Sequence, residues 1–171
     1  MPNYIFLDYN IWNIIAIVVS FILLIWVTII DVKTMKIPNY LTLSAIAVGA
    51  VLSFAGCGWK ETLLRFAMVI ILFFAYAIHL LAGGDIKLLM ALTMLQGVLP
   101  MLISLILGNL LLLGITAMQS PSSAMEYIRG GLFLMNGVEY GVDQRKVALS
   151  PYILAGYTLF LAGNVLVKFI I

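Results

Sequence analysis

Two of the four aspartates, Asp31 and Asp85, stand where a long apolar run meets a turn, while Asp8 and Asp143 lie in plainly solvated stretches. Taking an isolated carboxylate out of water costs about 3 kcal/mol even on lenient membrane-insertion scales, so a charge in such a place calls for a cavity, a partner or a substrate. Two carboxylates brought together in a partly dry site do not both ionise easily, and one keeps a proton near neutral pH. The result is an acid beside a base. Such a pair can deprotonate a water and protonate a peptide carbonyl, which is amide hydrolysis without a metal or a covalent intermediate. Next to Asp85, Gly83 and Gly84 remove side chains where a substrate backbone would approach. Lys87 supplies a positive charge to steady an ionised carboxylate or a bound substrate.

Each of these residues also has a plainer reading. Asp85 follows a glycine turn and is a preferred helix N-cap. Asp31 could simply be the interfacial charge that ends a span, and Lys33, Lys36 and Lys87 could be orientation signals. Pro38 and Asn39 are turn residues on any reading. His79 and Gln96 fit interhelical hydrogen bonds. What lifts the aspartate pair above these readings is that all of them would have to hold together.

The elements that must position the pair are membrane helices. Of 171 residues, 64% are hydrophobic and 9% charged, against roughly 25% charged in soluble domains. This is the composition of an all-α, polytopic membrane protein. A net charge of +2 with scattered basic residues leaves no nucleic-acid footprint. One cysteine, Cys57, and one histidine, His79, provide neither an intrachain disulfide nor a zinc site, and no cofactor is expected. The N-terminus lacks a basic n-region and a small-residue cleavage pattern, so the first apolar run reads as a retained span and residues 1–171 as a single membrane-embedded domain.

Length and breakers predict six segments: Ile11 to Ile30, Leu41 to Ala55, Thr62 to Leu81, a short fourth from Ile86 to Gln96, Met101 to Gln119, and Val147 to Ile170. Ile86 to Met118 as one helix would be about 50 Å long, so Gly97 and Pro100 are read as its break. Asn39 or Thr42 is expected to cap the second helix, and Arg65 to snorkel to the interface from the start of the third. The long polar connection 120–146 keeps helical spacing at Met125, Ile128, Leu132 and Met135, suggesting an interfacial helix, and its Glu126, Glu139 and Asp143 could greet a basic peptide.

Six segments with the N-terminus outside place Lys33, Lys36, Lys87, Arg129, Arg145 and Lys146 in the cytoplasm and Lys60, Arg65 and Lys168 outside. Five spans would reverse that bias. In either count two spans separate Asp31 from Asp85, which returns both to one membrane face. Asp31 closes a helix and Asp85 opens one, so the helix dipole predicts Asp31 as the protonated partner and Asp85 as the ionised one.

Asp31 followed by Lys36-Ile37-Pro38-Asn39, and then Gly84-Asp85-Ile86-Lys87-Leu88-Leu89, resembles the type IV prepilin peptidase family of membrane aspartic proteases. That family's signature is an aspartate before Ile-Pro-Asn and a Gly-x-Gly-Asp-x-Lys box. Arg145-Lys146 ahead of Pro151 and Gly156 is similar to its closing segment, and Ala82 stands where the box has its first glycine. The resemblance implies removal of the basic leader from type IV pilin-like precursors at the cytoplasmic face of the inner membrane, with Asp31 and Asp85 as the catalytic pair. Gly83, Gly84, Lys87, Pro38 and Asn39 would position substrate or support the site, and no metal would be needed. Without room for the paired-cysteine cytoplasmic domain of longer members, the chain is similar to the short, peptidase-only branch serving Flp-type, Tad-type or archaeal pilin-like proteins, and methyltransferase activity is not expected. Two other classes stay open: a Gly-Asp protease that cuts within substrate spans, and a non-enzymatic transporter or assembly subunit with a proton or cation between broken helices.

Overall fold

The computed structural model describes residues 10–78, 83–119, 125 and 148–170, the side chains of 168–170 excepted. Six long helices account for nearly all of them: α1 (Ile11–Thr34), α2 (Asn39–Gly56), α3 (Gly58–Ala77), α4 (Gly83–Gln96), α5 (Val98–Gln119) and α6 (Ser150–Ile170). Ala82, His79, Arg145, Lys146 and the connection 120–146, Met125 apart, lie outside the described residues.

α1 buries one stripe, Ala16, Ser20, Leu23, Leu24, Val27 and Asp31, at the three- and four-residue spacing of a helix face. Its opposite side, with Ile22, Ile25, Trp26 and Ile29, is exposed and apolar, as a lipid-facing surface must be. The helix runs past the expected stop at Ile30. Thr34 Oγ1 donates back to Ile30 O at 2.9 Å, and the chain breaks only at Met35, whose left-handed φ of 52° lets its N–H reach Asp31 O at 2.7 Å. Asp31 therefore sits in the last turn of α1, on its buried face, and not beyond it.

α4 is the centre of the bundle. From Ile86 to Gln96 every residue except Lys87 is buried, and a helix apolar on all sides is a core helix. α1, α2, α3 and α5 surround it. α2 comes closest, because a side chain at Gly49 would stand 2.8 Å from the Met94 backbone. Gln96 Nε2 donates to Ser20 Oγ at 2.8 Å, the interhelical bond expected of it. The break after α4 falls at Gly97, whose φ of +95° suits glycine. Pro100 lies inside the first turn of α5, where its missing N–H has no helical acceptor to lose. α5 and α6 pack backbone to backbone: a side chain at Gly156 would collide with Ser104 O and stand 2.7 Å from Gly108 N.

Two sequence expectations change here. Neither Asn39 nor Thr42 caps α2. Pro38, with extended φ and ψ of −66° and 132°, precedes the helix with no side-chain cap, and the Asn39 amide is engaged elsewhere. Arg65 does not snorkel outward either. It is 6% exposed, with Nη1 donating to Ser53 Oγ (3.1 Å), Met94 O (3.1 Å) and Leu95 O (3.3 Å), and Nε meeting Glu61 Oε1 at 3.4 Å. The last carbonyls of α4 have no intrahelical donor, and inward-turned guanidinium satisfies them at the negative end of the helix dipole.

Four helices have the length and apolar composition to cross a membrane: α1, α2, α5 and Ser150–Val167 of α6. α3 carries Lys60, Glu61 and Arg65 in its first half, and α4 spans only about 21 Å at 1.5 Å per residue. The chain is an all-helical membrane protein among its described residues, with four such helices where sequence length alone suggested six spans.

Candidate active site

One end of the bundle gathers the last turn of α1, the turn 35–38, the first turn of α4 and the start of α6. Asp31, 6% exposed, projects from α1. Its Oδ2 accepts a hydrogen bond of 2.6 Å from Ser150 Oγ, the first residue of α6, itself fully buried. Asp31 is thus held at two points, its own carbonyl by the Met35 N–H and its carboxylate by Ser150.

Asp85 occupies the first turn of α4, just ahead of the apolar stretch that opens at Ile86. Desolvation by burial first, and the nearby charge of Asp31 second, push its carboxyl up to about 6 from an ordinary value of 3.8. The two aspartates are therefore close enough to feel each other. Burial is an influence on Asp85 that the helix-dipole expectation leaves out. A helix N-terminus contributes about 0.3–1 kcal/mol at an exposed position, and loss of water around a half-buried carboxylate outweighs it.

The two glycines stand beside other parts of the fold. A side chain at Gly83 would stand 2.8 Å from the Tyr76 ring, and one at Gly84 would meet Ile37 at 3.4 Å. The space beside Gly83 is filled by α3, while a side chain at Gly84 would make ordinary contact with the turn that follows α1. Lys87 likewise has partners other than a carboxylate: Nζ donates to Asn39 Oδ1 at 2.8 Å and lies 5.6 Å from the centre of the Tyr76 ring. Among the described residues the ion pair is Arg65–Glu61, at the other end of α4. Lys87 ties α4 to α2 beside a groove of about 410 Å³ that Tyr40, Leu43, Phe73 and Met90 also line. Successive residues on a helix diverge by about 100°, so Asp85 and Lys87, two apart, leave α4 on opposite sides.

Asp31, Asp85, Gly84 and Pro38 thus meet at one end, with Asn39 and Lys87 bonded to each other alongside. Ser150 is the contributor that sequence reasoning missed. Ser150-Pro151 reads as an ordinary helix start, and nothing local to it points to a carboxylate more than a hundred residues earlier. Among the described residues no cluster of three or more His, Cys, Asp or Glu gathers as a metal site would require.

A family model decides the class. Residues 18–118 match the model of the type IV leader peptidase family. The chain belongs to that family. The match runs from the middle of α1 to the end of α5, so it takes in both aspartates and the turn between α1 and α2, while α6 and Ser150 lie beyond it. Searches of curated proteins and of solved structures returned no match. Membership makes the protein a membrane peptidase of the leader-peptidase type.

Proposed function

We propose that the protein is an aspartic endopeptidase that removes the basic leader from type IV pilin-like precursors at the cytoplasmic face of the inner membrane, with Asp31 and Asp85 as an acid/base pair. The observation that carries this reading is the electrostatic proximity of the two carboxylates at one end of the bundle, inside the family-matched stretch. Asp85, raised to about 6, holds the proton and gives it to the scissile carbonyl. Asp31, fixed by Ser150, takes a proton from the attacking water. As the amide breaks, Asp31 passes the proton it received to the leaving nitrogen, and the hydroxyl formed on the carbonyl carbon returns its proton to Asp85 as the product acid forms, restoring the pair. The pair titrates as a unit, so these are roles within one shared-proton site. Two carboxylates and a water suffice, and the reaction uses no metal or cofactor.

In this reading α3 is a further crossing and α4 the short fourth segment, enclosed by the others. Gly83, Gly84, Pro38, Asn39 and Lys87 support the site by locking the first turn of α4 onto α1, α2 and α3. The substrate is a pilin-like precursor reached from the bilayer, not a nucleic acid.

The test is processing of a pilin-type precursor with a lysine-rich leader by the purified protein in liposomes. Asp31→Asn and Asp85→Asn should each lower cleavage by at least about a thousandfold, because neither half of an acid/base pair works alone. Cleavage at the wild-type rate by both variants overturns the proposal.

A further inference from the structure

Ser150 is the first residue of α6, and Leu149, whose carbonyl accepts the first bonds of the helix, holds the capping position. Here the hydrogen bond that Ser150 Oγ donates goes to Asp31 Oδ2 at 2.6 Å, and the residue is fully buried. In the first turn of α6 the backbone is served without it: Tyr152 N and Ile153 N both donate to Leu149 O at 3.1 Å, and Pro151 has no N–H to satisfy. The helix start does not need this hydroxyl. Its bond is of the short, charge-assisted kind formed by an O–H with a carboxylate.

We propose that Ser150 is a positioning residue for the peptidase reaction. By occupying Oδ2 it fixes the rotation of the Asp31 carboxyl and leaves Oδ1 as the oxygen available to take a proton from the attacking water. The same bond binds α6 to the end of α1, so a helix outside the family-matched stretch completes the geometry of a pair that lies inside it. This rests on the aspartic-peptidase reading above.

The experiment is steady-state cleavage of the lysine-rich precursor by Ser150→Ala, Ser150→Thr and Asp31→Asn in liposomes, together with infrared spectra of the substrate-free protein. Ser150→Ala should lower kcat at least about tenfold and leave KM within about twofold, since only the transition state depends on the aim of Asp31. Ser150→Thr, which keeps the hydroxyl, should recover most of that loss. The Asp31 carboxyl band, identified by its disappearance in Asp31→Asn, should shift in Ser150→Ala and stay in place in Ser150→Thr. If Ser150→Ala does not accumulate, Ser150→Cys, close in volume and a weak donor, carries the same expectations. Wild-type kcat in Ser150→Ala beside an inactive Asp31→Asn overturns the role of Ser150 alone. So does a loss of kcat with the Asp31 band unmoved. Wild-type cleavage by Asp31→Asn overturns the peptidase reading first, and the role of Ser150 with it.

Discussion

Replacing Arg65 by alanine tests how α4 is held. One guanidinium nitrogen is shared by Ser53 Oγ, Met94 O and Leu95 O, so its three contacts amount to one or two good hydrogen bonds and not three. Ser53 Oγ still reaches Met94 O at 2.9 Å without it, which leaves Leu95 O as the carbonyl that loses its donor. A hydrogen bond to a charged group contributes about 1.5–3 kcal/mol, and the buried side chain also leaves a void. The expected loss is about 3 kcal/mol, or about 6–12 °C for a chain of this size. Glu61 is 31% exposed and 3.4 Å away, so Glu61→Gln should cost less than about 1 kcal/mol. The only cysteine, Cys57, lies half-buried between α2 and α3. A thiol-reactive dye added during heating in detergent therefore reports unfolding at a single site. A melting temperature for Arg65→Ala within 2 °C of the wild type, on the scale just estimated, or an equal fall for Glu61→Gln, refutes the claim that Arg65 anchors the end of α4.

Two further outcomes are expected. Gly156→Ala should destabilise by about 1–3 kcal/mol, because its new carbon strikes the α5 backbone; Gly163→Ala, with nothing within 4 Å, should be neutral or slightly stabilising. Melting curves of the two side by side decide it, and equal effects would contradict the packing described. For Asp85, a carboxyl raised in the fold adds stability that is complete below its unfolded value of 3.8 and is lost as pH rises through about 6. Asp85→Asn is neutral at every pH, so its melting temperature relative to the wild type should climb between pH 4 and 6 and then level off. A flat or falling difference across that window counts against a raised Asp85.

What the sequence disclosed was whatever depends on local pattern. Apolar run lengths and the Gly97 break located the six long helices of the described residues. Boundaries moved where backbone geometry decided them: α1 gained a turn because Met35 takes the left-handed conformation, and α3 opens at Gly58, whose φ is +72°. Arg65 was misread, and the partners of Lys87 and Ser150 were missed, for one reason. Each makes its decisive bond across a helix interface, to Leu95 O, Asn39 and Asp31, and no spacing within a helix encodes such a partner. The raised carboxyl of Asp85 was out of reach likewise, since the dipole argument sees the helix end but not the water lost around Asp85.

The shortness of α4 has a consequence for the birth of the protein. A helix of 14 residues, about 21 Å, cannot settle alone in a hydrocarbon core of about 30 Å, and its final carbonyls are served by Arg65 of α3. Membrane helices insert first and associate afterwards. α4 must therefore wait for α2 and α3 to form its socket before Asp85 can reach Asp31. On the aspartic-pair proposal, a nascent or half-assembled chain has its two aspartates apart, so proteolytic competence arrives only with completed folding.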